Sequence, residues 1–318
     1  MAVSQLPVRR IETPTPYSVG PVNAYLITAE PVTLIDSGMN LPESEALLLE
    51  LIGDDLERLE RIVITHAHPD HFGLMHAMAE RTGATIHFPA GEMQRLNRPG
   101  LRKEWGTLLL AEGFPLELLL AMDEARKREP RPPLRHDELK PIHPGDVFAF
   151  EGGALEAHFS PGHTGGHLVY LEAATGTLFA GDQLLPKVSP NPLMEPSVED
   201  GTERRRSLRQ YLDSLEAMTT MNPALVYPGH GDPVADPRPL IERTIAHHLR
   251  RKVQVAGMLG PDRVTPFELA ARLYPKVGGY EVFLAVSEVV AHLDLVVDDG
   301  DGVLTDRDGV AHYAAASP

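Results

Sequence analysis

Ile62-Val63-Ile64-Thr65-His66-Ala67-His68-Pro69-Asp70-His71-Phe72-Gly73 decides how this chain folds. An apolar, β-branched run reads as a buried strand, and it stops in a short loop that carries three histidines and one aspartate within six positions. A helical pattern starts near Phe72 and runs through Met75, Met78 and Ala79 to Gly83, and 85–88 reads as the next strand. Strand, helix, strand is an α/β signature. Upstream, strand-like runs at 8–11, 23–28 and 32–36 precede a helix over 42–56, in which Pro42 sits acceptably in the first turn.

Downstream the pattern changes. Residues 90–141 read as a helical insertion, with helices at 105–111 and 116–125 and a Pro/Arg-rich stretch at 128–134. Such a segment either covers a site or elaborates the packing. Strands at 146–150 and 154–159 lead into Ser160-Pro161-Gly162-His163-Thr164-Gly165-Gly166-His167. A hairpin of 168–171 and 177–180 runs into Gly181-Asp182, and after a helix over 201–220 a further strand ends in Tyr227-Pro228-Gly229-His230-Gly231-Asp232. The tail reads as helices at 240–259, 266–273 and 280–293, a short strand at 295–297, a Gly-rich turn at 299–302, and strands at 303–304 and 310–313. The expected organisation is a catalytic unit over 1–237 and a helical, winged-helix-like module over 238–318.

Composition narrows the chemistry. With 318 residues, of which 42% are hydrophobic, the chain can bury a full core. It has no cysteine, so thiolate sites and disulfides are excluded and any metal rests on His and carboxylates. A net charge of −16 disfavours nucleic acid as partner; the tail from Pro239, with eight Lys and Arg against eleven Asp and Glu, adds no basic patch. A structural or homodimer-forming role suits that tail better. No apolar run suits a signal peptide or a membrane span, and a cytoplasmic, membrane-free protein acting on a small-molecule substrate is expected.

The histidine spacing carries the functional reading. On an extended segment residues two apart point the same way, so His66 and His68 can converge on one ion. A catalytic metal wants about three protein ligands and an open position, and His163 is the natural third. Asp70 and His71 lie beyond the turn and begin a second site with His230, while Asp182 can bridge the two.

These residues resemble the metallo-β-lactamase fold superfamily, in the His-x-His-x-Asp-His branch that includes glyoxalase II, RNase Z and quorum-quenching lactonases. The matching positions occur in family order: Asp36 in Leu-Ile-Asp-Ser-Gly, the opening motif, His163 in Pro-Gly-His-Thr, Asp182 in Phe-Ala-Gly-Asp and His230 in Pro-Gly-His-Gly. The resemblance implies a four-layer αββα sandwich with the site at one sheet edge. Two departures sharpen it: without cysteine the Cys-containing site of one group of β-lactamases cannot form, and His68 stands where flavodiiron oxygen reductases carry Glu.

The expected function is a hydrolase with two divalent metal ions, zinc by preference and iron or manganese also compatible. A metal-activated hydroxide would attack a small ester-like substrate, foremost a thioester, with Asp70 orienting the nucleophile. Asp36 is expected to orient a ligand histidine. The alternatives are an RNase Z-like phosphodiesterase and a mononuclear iron persulfide dioxygenase. Among other polar residues, His167 reads as capping or packing, Lys187 and Tyr25 have possible substrate roles, and His247-His248 reads as exposed polar surface. His76 and His292 have no spacing that recommends them.

Overall fold

A computed structural model of the chain describes residues 6–96, 101–127, 135–197, 203–279 and 281–316, and the Pro/Arg-rich stretch 128–134 lies outside them. The first part holds β1 (Val8–Thr13), β2 (Val22–Ile27), β3 (Val32–Ile35), α1 (Pro42–Ile52), β4 (Leu59–Val63), α2 (Pro69–Phe72), α3 (Met75–Thr82) and β5 (Thr85–Pro89). The insertion contributes α4 (Ala90–Leu96), α5 (Leu101–Ala111), α6 (Leu116–Lys127) and β6 (Leu139–Ile142). Then come β7 (Val147–Phe150), β8 (Gly153–Phe159), β9 (Leu168–Glu172), β10 (Thr177–Gly181), α7 (Ser207–Met221), β11 (Leu225–Pro228) and β12 (Val234–Ala235). The tail is α8 (Arg238–Gly257), α9 (Pro266–Leu273), α10 (Glu281–Asp298), β13 (Gly302–Arg307) and β14 (Val310–Ala315).

Two six-stranded sheets result, ordered β1-β2-β3-β4-β5-β6 and β12-β11-β10-β9-β8-β7. β4 explains how they stack. Both of its faces are covered, so it needs no polar alternation. Ile62 turns outward to Leu34, Leu48, Ile52, Met75 and Met78 beneath α1 and α3. Val63 turns inward, where Tyr25, Ile27 and Ile35 meet Phe148, Tyr170 and Phe179 of the second sheet. The far face of that sheet buries Val169, Leu178 and Val226 against Leu208, Leu212 and Leu215 of α7 and Ile241 of α8. Each such aliphatic side chain stabilises the fold by roughly 1.5–3 kcal/mol. The layers are helix, sheet, sheet, helix, the expected αββα sandwich.

Two expectations change, and one left open is decided. The insertion contains a strand, β6, parallel to β5 with Phe88 opposite Pro141; a proline is tolerated there because β6 is the edge of the sheet. Of the two roles open to the insertion, α5 and α6 take the packing one. Trp105 tilts against Phe283 at 5.2 Å and Phe114 meets Phe267 edge-on at 5.5 Å, in a core shared with Val286, Val290 and Tyr313. In the tail, 295–297 is helix rather than strand, since α10 runs to Asp298 and buries Leu295 and Val296. The hairpin β13–β14 turns at Asp308-Gly309, whose φ values of 55° and 81° supply the left-handed pair a two-residue turn needs.

Candidate metal centre

β3 runs parallel to β4, β10 runs parallel to β11, and β8 and β10 both lie antiparallel to β9. The chain leaves the carboxyl ends of β3, β4, β8, β10 and β11 with Asp36, His66, His163, Asp182 and His230 respectively. Crossing bonds join the two sheets at this edge: Leu168 N donates to Thr65 O at 3.0 Å and Tyr170 Oη to Ile64 O at 2.5 Å. The two sets of strand ends therefore face one pit, where an α/β architecture places its ligands.

Within the pit, His66, His68, His163 and Asp182 form one group of potential ligand atoms and Asp70, His71 and His230 another, the atoms of each group lying within 4.8 Å of one another. His66 and His68 converge as their spacing implies, with ring centroids 4.6 Å apart. The single helical turn α2 then redirects the chain, so that Asp70 and His71 face the second group. Asp182 stands between the groups: Oδ1 is 3.3 Å from His71 Nε2, and Oδ2 is 3.6 Å from both His163 Nε2 and His230 Nε2.

The hydrogen bonds behind these histidines fix their tautomers. Thr65 N donates to Asp36 Oδ1 at 2.8 Å and Thr65 Oγ1 to Asp36 Oδ2 at 2.9 Å, so the hydroxyl has only a lone pair left for His66 Nδ1–H, 3.0 Å away. His71 Nδ1–H donates to Asp36 Oδ2 at 2.8 Å, His163 Nδ1–H to Asn191 O at 3.2 Å and His230 Nδ1–H to Pro21 O at 2.7 Å. When neutral, all four rings turn an unprotonated Nε2 into the pit. His68 presents Nδ1, which lies 3.0 Å from both His66 Nε2 and His163 Nε2. A proton on His68 Nδ1 can satisfy only one of these two contacts, whereas a cation among the three nitrogens satisfies both. His71 Nε2, His230 Nε2 and Asp182 Oδ1 are buried without a hydrogen bond. In the neutral rings these nitrogens offer lone pairs to the pit, and the donor set of imidazoles and carboxylates fits divalent cations.

Electrostatics divides the pit in the same way. Burial, aided by the neighbouring histidines, holds His66 well below the usual imidazole range, and burial lowers His163 too. Burial also pulls on His71 and His230, but Asp182 with Asp36 or Asp70 outweighs it and raises both. Burial opposes the charge on Asp182, yet His71 and His230 hold its carboxyl well below the ordinary range.

The backbone is shaped around these groups. Asp36 adopts φ 57°, a left-handed conformation that Asp tolerates. At Gly229 a Cβ would fall 2.1 Å from Asp182 Oδ1 and 2.7 Å from His71 Cε1, so only glycine fits.

The family profile of the metallo-beta-lactamase superfamily matches residues 17–230. The chain is 31% identical over 294 residues to a probable metallo-hydrolase, YqjP, of Bacillus subtilis, covering 90% of this chain and 91% of that one. The chain belongs to the metallo-β-lactamase superfamily. It is a metallohydrolase of that superfamily. A crystal structure of a metallo-beta-lactamase family protein from Thermus thermophilus superposes with a TM-score of 0.80 at 27% identity, over 97% of this chain and 98% of that one. An atrochrysone carboxyl ACP thioesterase of Aspergillus fumigatus is 26% identical over 73% of this chain and 58% of its own length.

Several residues that shape this superfamily site carry no sequence signal of their own. Thr65 links Asp36 to His66. Asn23 clamps the turn on both sides of His230, donating to Pro228 O at 2.9 Å and Gly231 O at 2.7 Å. Glu92 of α4 accepts from Thr164 Oγ1 at 2.5 Å and Gly166 N at 2.8 Å, and Glu195 accepts from Gly165 N at 3.0 Å, so two buried carboxylates hold the loop behind His163. His167 packs, as its sequence suggests, but beside the centre: it stacks on His66 at 4.8 Å, and burial lowers its pKa to about 3. Tyr25 donates to Pro228 O at 2.6 Å and is packing rather than an oxyanion donor. The exposed reading of His247-His248 fails for His248, which is fully buried and bonded to Ser189 and His292. His292 is buried as well, and His76 is buried with Glu138 on its Nδ1 at 3.2 Å. Pairs inside a 3.6-residue period hide their inward faces from a reading by spacing alone.

Proposed function

We propose that the pit holds two divalent ions and hydrolyses thioesters. The observation that carries this is the set of tautomers. Each of His66, His71, His163 and His230 has its Nδ1–H engaged by Thr65, Asp36, Asn191 or Pro21, which leaves Nε2 for coordination. His66, His68 and His163 would hold one ion, Asp70, His71 and His230 the other, and Asp182 both. Zinc, favoured by the imidazole and carboxylate set, would supply an activated water at neutral pH and an electrophile for the carbonyl oxygen. Asp70, with Oδ2 3.4 Å from His230 Nε2, would orient the attacking water and take up its proton. The thioester assignment is supported by the Aspergillus fumigatus relative named a thioesterase. The second group, Asp70, His71 and His230, favours two ions over the mononuclear iron alternative.

Elemental analysis of the purified protein is expected to give about two metal equivalents per chain, and thioesters are expected to outpace lactones and phosphodiesters. Asp70→Ala is expected to lower thioester turnover by about 100-fold or more. One iron per chain with oxygen uptake on a persulfide, or full activity in Asp70→Ala, would overturn the reading.

A further inference from the structure

The pair His247-His248 on α8 belongs to neither group in the pit, yet its surroundings are those of ligands. His247, His248 and Glu288 of α10 each bring one potential ligand atom to within 4.8 Å of the others. They sit where α8 and α10 pack together, and His247, Glu288 and Ser189 line an open cleft of about 580 Å³. None of the seven ligand candidates of the pit lines that cleft.

Glu288 is the anomaly of the group. It is only 9% exposed, and it forms no ion pair with Lys or Arg among the described residues. His292 Nδ1 lies 3.6 Å from Glu288 Oε1 but gives its proton to Glu288 O, at 2.7 Å. Buried carboxylates are as a rule paired with a cation or bound to a metal. An ionised Glu288 therefore calls for a cation from outside the chain.

The imidazoles are set to share that cation. Because His292 Nδ1–H is spent on Glu288 O, His292 Nε2 accepts from His248 Nδ1–H at 3.3 Å. The lone pair of His248 is thereby fixed at Nε2, where Ser189 Oγ–H, on the cleft wall, donates to it at 2.7 Å. His247 is half-buried and meets His248 edge-on at 5.2 Å, with no hydrogen bond to its ring among the described residues.

The positive groups nearby do not close the site to a metal. Arg251 donates to Tyr274 Oη at 2.7 Å and lies 5.4 Å from that ring's centroid. Lys187 and Arg243, also on the cleft, are exposed, so solvent and salt screen them. The chain as a whole, at −16, attracts cations.

We propose that His247, His248 Nε2 and Glu288 form a metal site separate from the pit, which takes a divalent cation of the zinc kind and cross-links α8 to α10. Two imidazoles and a carboxylate suit zinc, and the cleft leaves room for water as a fourth ligand. Ser189 Oγ–H competes with the metal for His248 Nε2, so the site fills when zinc is supplied in excess.

Zinc uptake is measured by equilibrium dialysis and calorimetry on the purified full chain, on His247→Ala and on Glu288→Gln, which leave every pit residue in place. The unaltered protein is expected to take up one zinc per chain more than either variant, whatever number the pit holds, so a failure of the pit reading leaves this difference untouched. Ser189→Ala, which removes the competing proton, is expected to tighten the extra zinc about threefold or more. Circular dichroism reports the fold of each variant, and Ser189→Ala decides the matter if the other two do not fold. An equal zinc count in folded His247→Ala or Glu288→Gln, or an extra zinc held no more tightly in Ser189→Ala, overturns the proposal.

Discussion

Asp36 shows how much one residue outside the seven ligand candidates can decide. One carboxylate fixes the tautomer of His71 directly and that of His66 through Thr65. In Asp36→Asn the amide nitrogen cannot accept from His71 Nδ1–H, so the His71 proton moves to Nε2 and blocks coordination. Metal content is expected to fall toward one equivalent per chain, with activity down about 10- to 100-fold; two retained equivalents would show that Asp36 does not set the tautomer. Gly229→Ala works by volume instead, because its Cβ would need the place of Asp182 Oδ1. Loss of metal and of turnover is expected while circular dichroism keeps the native spectrum. The seven ligand candidates were legible from the sequence because strand-end loops with His and Asp are rare and each stands beside turn residues. Asn23, Glu92 and Glu195 were not, since a buried Asn or Glu looks like any surface polar residue until the chain brings it to its partner.

At the scale of the element, α10 is the most consequential helix. Its buried face includes Val286, Val289, Val290 and Leu293, but also Glu288 and His292. Desolvation raises Glu288 from 4.5 to about 7 against the pull of Arg251, with His248 and His292 held neutral at about 3 and 4 by burial. The sign follows from proton counting. Between pH 4.5 and about 7 the folded state keeps the Glu288 proton and the unfolded state has lost it, so the Glu288 contribution to stability falls as pH rises through that window, whereas His248 and His292, neutral in the fold and protonated in the unfolded chain below 6.5, contribute the opposite slope. Glu288→Gln is expected to remove the falling component, so that the melting temperature rises more steeply with pH across this window, and to raise the midpoint at pH 8; an unchanged slope would refute the assignment. α10 also shows the limit of pattern reading. Leu295-Val296-Val297 is apolar enough for strand or helix, and only its packing against α7 and α8 selects helix.

Across the whole molecule, the insertion, the tail and the catalytic sandwich meet at Arg204. Its guanidinium pairs with Glu112 after α5 at 2.9 Å and with both carboxylate oxygens of Asp294 on α10, beside Tyr313 of β14. Removing the cation strands the nearly buried Glu112 and leaves Asp294 only the half-exposed Arg206 at 2.5 Å, a change that costs about 3 kcal/mol. Arg204→Ala is expected to lower the urea midpoint accordingly, and a loss below about 1 kcal/mol would mean the triad is incidental. No helix among the described residues is long and apolar enough to cross a membrane.

By itself the sequence determined an α/β order of elements and the ligand candidates, because strand and helix periods and strand-end loops are local properties of the chain, and its resemblance to the superfamily implied the αββα sandwich. Tertiary structure decided what depends on distant segments meeting. It placed Pro141 in an edge strand, packed α5 and α6 against the tail, set the tautomers of His66, His71, His163 and His230, and buried the Ser189–His248–His292 chain. Hydrogen bonds and desolvation act between groups far apart in sequence, so their effect exists only once the sheets and helices have closed on one another.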